Sequence, residues 1–135
     1  MPTYTLTQIE TALRLSWRAD TRHASVQFLA GAPAELLVRG QCATTALVVH
    51  DLLGGELLIA PVTTAGVPNG HHYWNRLPGG LELDLTREQF QAHEEIGPAQ
   101  AVVRPPGLPR SGADAYLALR DRFTAALADL QRTTG

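Results

Sequence analysis

Hydrophobic residues recur at helical spacing in three parts of the chain. They lie three or four positions apart from Thr7 to Trp17, from Cys42 to Leu53 and from Tyr116 to Leu130. Each pattern is long enough for a helix that buries one face. The chain is therefore predicted to contain three principal helices, near its start, at its centre and near its end.

Capping and stop signals place the ends of these helices. Thr7 and Glu10 match a capping box for the first helix, and Ser111 and Asp114 match the same pattern before the last one. The glycine pair 54–55 directly follows the central helix and supplies its stop.

Strand-like patterns follow the central helix. Residues 56–62 read ELLIAPV and are predicted to form a buried strand, whereas residues 66–70 are predicted to form a loop. The stretches 71–77, HHYWNRL, and 81–85, LELDL, flank the sequence Pro-Gly-Gly, which is typical of a hairpin. This region therefore predicts an antiparallel sheet.

The remaining stretches are predicted to be connections. Residues 18–40 lack a clean period and form a long irregular connection that could line a cleft, with a strand or a helical turn at 25–30. A short helix is predicted around residues 87–90. Residues 97–109 are rich in proline and are expected at the surface, with residues 101–104 as an edge strand.

Together these elements predict one domain, residues 1–135, of the α+β class. A helix beginning at Cys42 is expected to pack against the antiparallel sheet, while the helices near the two termini cover the rest. A chain of 135 residues supports one core without disulfides or metals as staples.

Composition narrows the classes of protein that fit. A hydrophobic share of 44% and a net charge of -2 are typical of a globular protein, and the basic excess of a nucleic-acid-binding protein is absent. The sequence contains no lysine, which excludes a lysine nucleophile and a phosphate-binding loop. The start resembles no signal peptide, and no apolar run is long enough for a bilayer. We therefore expect a cytoplasmic location and no membrane or nucleic-acid partner.

Cys42 is the single cysteine and the first candidate for chemistry. A thiol attacks as its thiolate, and the free N–H groups and partial positive charge of a helix N-terminus favour that anion. Because the flexible Gly40 precedes the predicted helix, Cys42 would lie in its first turn. The alternative is that Cys42 packs as a small buried hydrophobe.

The predicted hairpin decides which histidine can serve Cys42. A three-residue loop places Leu77 opposite Leu81, and this register sorts the polar and apolar side chains onto opposite faces. His72 and Asp84 are then diagonal neighbours on one face, roughly 7–8 Å apart. We expect Asp84 to orient one ring nitrogen of His72 and leave the other for Cys42.

The two faces of the predicted hairpin are expected to have different surroundings. The face of His72 is expected to be polar, and the opposite one is expected to face the core; the latter carries Tyr73, Leu77, Leu81, Leu83 and Leu85.

Four further residues are considered for the site. Trp74 would wall the cleft or cover the histidine–aspartate pair from water. Asn75 is a rival orienter, although its parity directs it away from the imidazole. The Gln41 side chain is a second choice as oxyanion donor, after the backbone N–H of the cysteine. His71 lies on the opposite face and is interpreted as structural.

A resemblance to a known family lies between Gly40 and Phe90. It is carried by two stretches that read GQCATTALVVHDLLGGELL and HHYWNRLPGGLELDLTREQF. These are similar to the YunG-like family of uncharacterised bacterial proteins. The family name itself implies no activity.

A more distant resemblance concerns mechanism. The order of Cys42, His72-x-Trp and Asp84-x-Thr is similar to that of transglutaminase-like and other papain-like thiol enzymes. In that superfamily the cysteine opens a helix, and the histidine and the acid lie on neighbouring strands of an antiparallel sheet. The resemblance thus implies a papain-like core, with Cys42 as nucleophile, His72 as base and Asp84 as orienter.

The leading hypothesis is a cysteine hydrolase or acyl transferase that acts on an amide, ester or thioester of a small-molecule or peptide-like substrate, without a cofactor. The alternative is a non-catalytic module that binds a metabolite or peptide in the same cleft. A third reading is a zinc site built from Cys42 with His71, His72 or His50. These residues lack the short paired spacing of structural zinc ligands, so no metal is expected.

Overall fold

The structure, a computed structural model, describes residues 3–134. These residues form the α-helices α1 (Leu6–Ser16), α2 (Val26–Ala30), α3 (Cys42–Leu53) and α4 (Ala113–Thr134), and single 3-10 turns at Ala19–Thr21 and Arg87–Gln89. The strands are β1 (Glu56–Thr64), β2 (Val67–Arg76), β3 (Glu82–Leu83), β4 (Glu94–Ile96) and β5 (Gln100–Val102). The architecture is α+β, as predicted.

The three predicted principal helices are present, but two of the predicted caps are wrong. Helix α1 is capped by Thr5, whose hydroxyl accepts the Gln8 N–H at 3.0 Å while the Gln8 side chain accepts the Thr5 N–H at 2.9 Å. Thr7 lies inside this helix because Thr5-x-x-Gln8 forms the same box two residues earlier. Helix α4 begins at Ala113, so Gly112 and not Ser111 directly precedes it, and the Ser111 hydroxyl lies 3.1 Å from Nε2 of His23.

The sheet is antiparallel and has the order β3-β2-β1-β4, with β5 also paired to β1. Strands β1 and β2 are the longest and are joined by a two-residue turn at Ala65 and Gly66, both with positive φ. The loop predicted at 66–70 is therefore wrong after its first residue. Pro68 and Gly70 are typical of a loop, but among the described residues β1 is the only strand paired with β2 there, so a missing side chain or donor is tolerated.

The register predicted for the β2–β3 hairpin is confirmed. Asn75 pairs with Leu83 and Arg76 with Glu82, and the Leu77 N–H donates to the Leu81 carbonyl at 2.7 Å. Strand β3 has only two residues, so the chain leaves the sheet just before Asp84.

Helix α3 packs against β2 and β1 on one side and against α4 on the other, while α1 packs along α4. The main core forms between these helices and includes Leu13, Val49, Leu119 and Phe123. Leu77, Leu83 and Leu85 border this core, as predicted for their face of the hairpin. Leu81 does not, because it lies at the hairpin turn and is 59% exposed.

The face predicted to be polar is buried in part. His72 is fully buried there, and Trp74 forms a second, smaller apolar cluster with Leu58 and Ala60 of β1. Glu82, on the same face, is exposed. Strand β1 and the segment after β3, which the parity of the hairpin alone does not include, cover the part around His72 and Trp74.

The connection at 18–40 folds as the 3-10 turn and helix α2, and it borders the N-terminus of α3. The predicted edge strand near 101–104 is β5, shifted by one to two residues. Within residues 3–134, no helix is both long and apolar enough to cross a membrane.

Candidate active site

A tight turn fixes the start of helix α3. Gly40 has a φ of 83°, and a Cβ at this position would lie 2.6 Å from Cδ2 of Leu29. A left-handed backbone and a close neighbour both require glycine here. The turn places Cys42 at the first position of the helix, where N–H groups have no carbonyl partner within the helix.

Gln41 anchors this turn from within the protein. Its buried side chain donates from Nε2 to the carbonyls of Arg18 and Leu37, both at 3.0 Å, and accepts the Thr21 hydroxyl at 2.7 Å. Both amide hydrogens are therefore used. The suggestion that Gln41 donates to an oxyanion is wrong on this geometry, and its contribution is to hold the helix start.

Cys42 lies beside strand β2, at the point where His71 and His72 pass the helix. Its side chain is close to buried, with a residue exposure of 6%, and Sγ lies 3.9 Å from the His71 carbonyl oxygen. The Cys42 side chain is also near enough to His72 to raise the pKa of that imidazole. The structure therefore brings the cysteine and the predicted histidine together.

His72 is held on three sides. Its Nε2 lies 2.6 Å from Oδ2 of Asp84, its ring stacks on Trp74 with centroids 5.0 Å apart, and the edge of Phe90 meets it at 4.8 Å. Because a carboxylate can only accept, Nε2 carries the hydrogen and Nδ1 carries the lone pair. The pair that the register predicted, His72 and Asp84, is in direct contact.

The pKa of His72 reflects opposing effects. Burial of the ring lowers the pKa, but the hydrogen bond to Asp84 and the influence of the nearby Cys42, together with the charge of Asp84, raise it above the ordinary value of 6.5. An imidazole in this setting accepts a proton more readily than a free one.

Gln89 is a site residue that the sequence did not reveal. It is fully buried, its Oε1 accepts the Gly40 N–H at 3.0 Å, and its Nε2 lies 3.4 Å from Nδ1 of His72 and 3.2 Å from the Thr86 hydroxyl. An amide N–H directed at Nδ1 requires that nitrogen to accept, which agrees with the tautomer set by Asp84. From the sequence, Gln89 is only a residue of the short helix predicted around residues 87–90.

The two carboxylate oxygens of Asp84 have different surroundings. Oδ2 contacts His72 and lies 3.6 Å from Nη1 of Arg87, whereas Oδ1 is buried and has no hydrogen-bond partner within the described residues. Arg87 is 63% exposed at its side chain, so it screens the carboxylate from the solvent side. A carboxylate with one unpaired oxygen gains from a positive charge on the neighbouring imidazole.

Trp74 and Asn75 have the positions that their parity predicted. Trp74 covers one face of the His72 ring and donates its indole N–H to Glu82 at 2.8 Å. Asn75 points to the other side of the sheet, where Nδ2 donates to the Ala46 carbonyl at 3.0 Å. Asn75 therefore ties helix α3 to β2 and does not contact His72.

A cavity of about 170 Å³ opens beside Cys42. It is lined by His23, Ala24, Ser25, Phe28, Cys42, Ala43, Gly70, His71 and Tyr73. Part of the wall comes from the connection at 18–40, as expected from its length. His23 and Tyr73 were not predicted here: His23 lies in an unpatterned stretch, and Tyr73 was assigned to the core face.

Within the described residues, no three His, Cys, Asp or Glu side chains converge in a way that could hold a metal ion. His50, one of the three histidines considered for zinc, contacts Arg104 through Nδ1 at 3.3 Å. The arrangement around Cys42 instead supports proton transfer: the thiol can pass its hydrogen to Nδ1 of His72, and Asp84 holds the opposite nitrogen.

Comparison with known proteins identifies relatives. A model of the YunG protein family matches residues 5–128. The chain is also similar to the "Uncharacterized protein YunG" of Bacillus subtilis (strain 168), with 35% identity over 80 residues. That match covers 59% of this chain and 58% of the relative, so it spans less than two thirds of the relative's length. No solved structure matches the chain significantly.

Proposed function

The chain belongs to the YunG protein family, and on that premise we propose that it is a cysteine hydrolase or acyl transferase. Its substrate is an amide, an ester or a thioester. The observation that carries the proposal is the position of His72, whose Nε2 lies 2.6 Å from Oδ2 of Asp84 and whose pKa is raised by the nearby Cys42 side chain. A nucleophile, a base and a group that orients the base are the minimum set for covalent acyl transfer.

Acylation begins when Nδ1 of His72 takes the proton of Cys42. The thiolate attacks the carbonyl carbon, the C=O pair moves to oxygen, and a tetrahedral intermediate forms. As the intermediate collapses, the bond to the leaving nitrogen, oxygen or sulfur breaks, and the imidazolium returns its proton to that atom. The product is a thioester on Cys42.

Deacylation reverses these roles. His72 removes a proton from water, or from an amine in a transferase, and the nucleophile attacks the thioester carbonyl. The C–S bond then breaks, and His72 returns the proton to the sulfur. Asp84 stabilises the imidazolium in both halves of the reaction without itself taking the proton.

Two groups can stabilise the oxyanion. The backbone N–H of Cys42 lies in the first turn of α3, where helical N–H groups are free and the helix dipole favours negative charge. Tyr73 lines the cavity beside Cys42. Burial together with the neighbouring Cys42 raises the pKa of the Tyr73 hydroxyl above 10.0. A tyrosine that stays protonated is a hydrogen-bond donor at neutral pH.

The arrangement supports a papain-like or transglutaminase-like core as part of this proposal. A helix opened by the cysteine packs against an antiparallel sheet that carries the histidine, and the acid follows the next strand. This is the order that the resemblance implied. Because unrelated activities share folds, the assignment depends on the site and not on the architecture alone.

The proposed chemistry also favours a reducing compartment. Cys42 has no second cysteine with which to pair, and oxidation of its sulfur would remove the nucleophile. We therefore propose a cytoplasmic location, where thiols are kept reduced. The proposed partner is a small-molecule or peptide-like substrate, with no role for nucleic acid, membrane or cofactor.

The test is the pH profile of Cys42 alkylation by iodoacetamide, from about pH 5 to about pH 9. If His72 accepts the thiol proton, the wild-type protein reacts at the low end of this range. His72→Ala is then expected to lose about tenfold or more of that low-pH rate. His93→Ala is the control, because His93 is an exposed histidine that lines neither the Cys42 cavity nor its neighbour.

A circular dichroism spectrum of each variant separates loss of reactivity from loss of fold. His72→Gln serves as a second variant if the alanine protein does not fold. A thiol that reacts only above about pH 8 in wild type, or that is indifferent to His72, contradicts the proposed ion pair. Burst release of p-nitrophenolate from p-nitrophenyl acetate, lost in Cys42→Ser, tests acyl transfer directly.

The second candidate function is binding without turnover. The low exposure of Cys42 favours it, since a substrate carbonyl must reach a sulfur that is 6% exposed at the residue level. A protein that binds acyl compounds but shows no burst and no thiol reactivity near neutral pH would establish this alternative.

A further inference from the structure

A second and larger cavity adjoins the one at Cys42. It has a volume of about 330 Å³ and lies between helix α3, strand β1 and the segment 102–112 that precedes α4. His23, Ala43 and Tyr73 line both cavities, so the two cavities meet at these residues. This boundary begins one residue after Cys42.

The lining of the larger cavity is predominantly apolar. Its carbon-rich wall is formed by Ala43, Ala46, Leu47, Leu57, Val102, Val103, Pro105 and Pro109. The volume is that of about eleven water molecules at roughly 30 Å³ each, which is within the range of small-molecule sites. Val103 lies at this cavity and is 94% exposed, so apolar surface continues to the mouth.

Two arginines line the cavity, and they differ in whether a carboxylate of the protein already neutralises their charge. Arg104 pairs with Asp51, donates to the Leu47 carbonyl and contacts the Tyr116 hydroxyl. Arg110 is exposed and makes no ion pair or hydrogen bond with any described residue. An uncompensated guanidinium beside an apolar cavity offers a planar fork for one carboxylate.

We propose that the larger cavity is the specificity pocket of the Cys42 site and that it takes an apolar segment ending in a carboxylate. The apolar segment passes Ala43, between His23 and Tyr73, and its carboxylate pairs with Arg110. This inference rests on the proposed acyl transfer for its catalytic meaning, because the reacting carbonyl must lie at Cys42. The binding of the apolar carboxylate itself does not depend on that activity.

The shape and the charge of the larger cavity indicate which kind of ligand it binds. A purely apolar ligand would leave Arg110 unused, and a highly charged one would place charge against the carbon-rich wall, which is costly. A single carboxylate on an apolar body uses both features. The junction at Ala43 then fixes the order along the substrate: reacting carbonyl, apolar segment, carboxylate.

Binding is tested first with octanoate, by isothermal titration calorimetry on the Cys42→Ser protein. We expect octanoate to bind and Arg110→Gln to weaken it about tenfold, the typical loss for a charge-assisted hydrogen-bonded pair. Octylamine is expected not to bind. Arg132→Gln is the control, because Arg132 is an exposed arginine in the last turn of α4.

Acylation is tested with p-nitrophenyl monoesters of linear dicarboxylic acids, from hexanedioate to decanedioate, and with the matching methyl-terminated esters. In each reaction the C–O ester bond breaks, a thioester forms on Cys42 and p-nitrophenolate leaves. We expect a preference for one carboxylate-terminated length, which Arg110→Gln removes. Ala43→Leu should block these long esters, because a branched side chain fills the boundary between the two cavities.

The two proposals fail differently. If octanoate does not bind, or binds equally well after Arg110→Gln, the pocket assignment is overturned while the alkylation profile of Cys42 stands. If octanoate binds through Arg110 but no ester acylates Cys42, the pocket stands and the catalytic proposal is overturned. A lack of preference between the carboxylate and methyl esters in a protein that does acylate also contradicts the pocket assignment.

Discussion

At the scale of single residues, the His72 imidazole is held by contacts whose electrostatic effects oppose each other. Burial favours the neutral ring, whereas Asp84 and Cys42 favour the protonated ring, and the balance raises the pKa of His72 above its ordinary value. Gln89 points an N–H at Nδ1 and favours the neutral tautomer with its hydrogen on Nε2. Gln89 therefore acts with burial in favour of the neutral ring, and this N–H must turn away from Nδ1 when the thiol proton is transferred there.

Replacing Asp84 with asparagine should lower the pKa of His72. The amide oxygen can still accept the Nε2 hydrogen, but it carries no charge, so burial is opposed by Cys42 alone. We expect an NMR titration of the His72 ring protons to show the fall, together with slower Cys42 alkylation at low pH. The exposed Glu95→Gln is the control for loss of one carboxylate. An unchanged titration would show that Asp84 contributes no charge effect.

The raised pKa of His72 also predicts a pH dependence of stability. A group whose pKa is higher in the folded state than in the unfolded one binds more protons when folded, so its stabilising contribution is complete below about pH 6.5 and is lost as pH rises through the folded-state pKa. Urea unfolding of wild type should therefore show stability falling above about pH 6.5, and the fall should be smaller in Asp84→Asn. Identical slopes in the two proteins would contradict this assignment.

The histidine–aspartate pair could be predicted because it depends on parity within one hairpin. The sorting of Leu77 and Leu81 fixed the register, and the register determined which histidine meets Asp84. Gln89 and Tyr73 could not be found in this way. Their roles depend on contacts of strand β2 with helix α3 and with the segment after β3. These contacts are tertiary, and no periodic pattern in the sequence indicates them.

At the scale of elements, the start of helix α3 decides whether Cys42 meets His72. Helix α3 runs from Cys42 to Leu53, as the sequence predicted, because a buried apolar pattern is bounded by glycines on both sides. Two features fix the conformation of the N-terminal turn: the backbone of Gly40 and the buried side chain of Gln41. Gln89 adds a third, since it accepts the Gly40 N–H and faces His72.

Gly40→Ala is expected to destabilise the protein more than Gly54→Ala. Both glycines flank α3 and have positive φ, so each substitution incurs backbone strain of about 1–3 kcal/mol. Only at Gly40 would the new Cβ also meet a neighbour, Leu29, at 2.6 Å, whereas Gly54 has open space. Urea denaturation measures the two losses, and iodoacetamide reactivity should fall in Gly40→Ala alone. Equal losses in the two variants would show that the contact with Leu29 relaxes without cost.

Element boundaries were less predictable than the elements themselves. The β1–β2 turn was missed because Pro68 and Gly70 are typical of loops, and their tolerance in β2 becomes visible only when its neighbours are known. The cap of α4 was missed because the Ser111 hydroxyl contacts His23, which is 88 residues earlier in the chain. Both errors have one cause, since long-range partners replaced the local contacts that the sequence pattern suggested.

At the scale of the whole molecule, one buried ion pair joins the parts that surround the site. The Arg39 and Glu94 side chains are each 1% exposed and form two hydrogen bonds, at 2.5 and 2.8 Å. Arg39 also donates to the carbonyls of Phe28 and Gln89. The pair thereby connects helix α2, the turn before α3, the Gln89 segment and strand β4.

Glu94→Gln should be strongly destabilising, because it leaves the buried Arg39 guanidinium without its counter-charge. Loss of one partner of a buried pair typically costs about 3–5 kcal/mol, whereas Glu95→Gln, at the exposed neighbouring position, should be close to neutral.

The hydrogen bond from Arg39 lowers the pKa of Glu94 below 4.5, so its stabilising contribution is complete above about that pH and is lost as pH falls through the folded-state pKa. Urea unfolding of wild type and both variants from about pH 7 down to about pH 2.5 checks both claims. Wild type and Glu95→Gln should lose stability together on acidification, while Glu94→Gln starts lower and changes less. If Glu94→Gln were as stable as Glu95→Gln at neutral pH, the pair would not hold these elements together, and the cavity walls around Cys42 would depend on apolar packing alone.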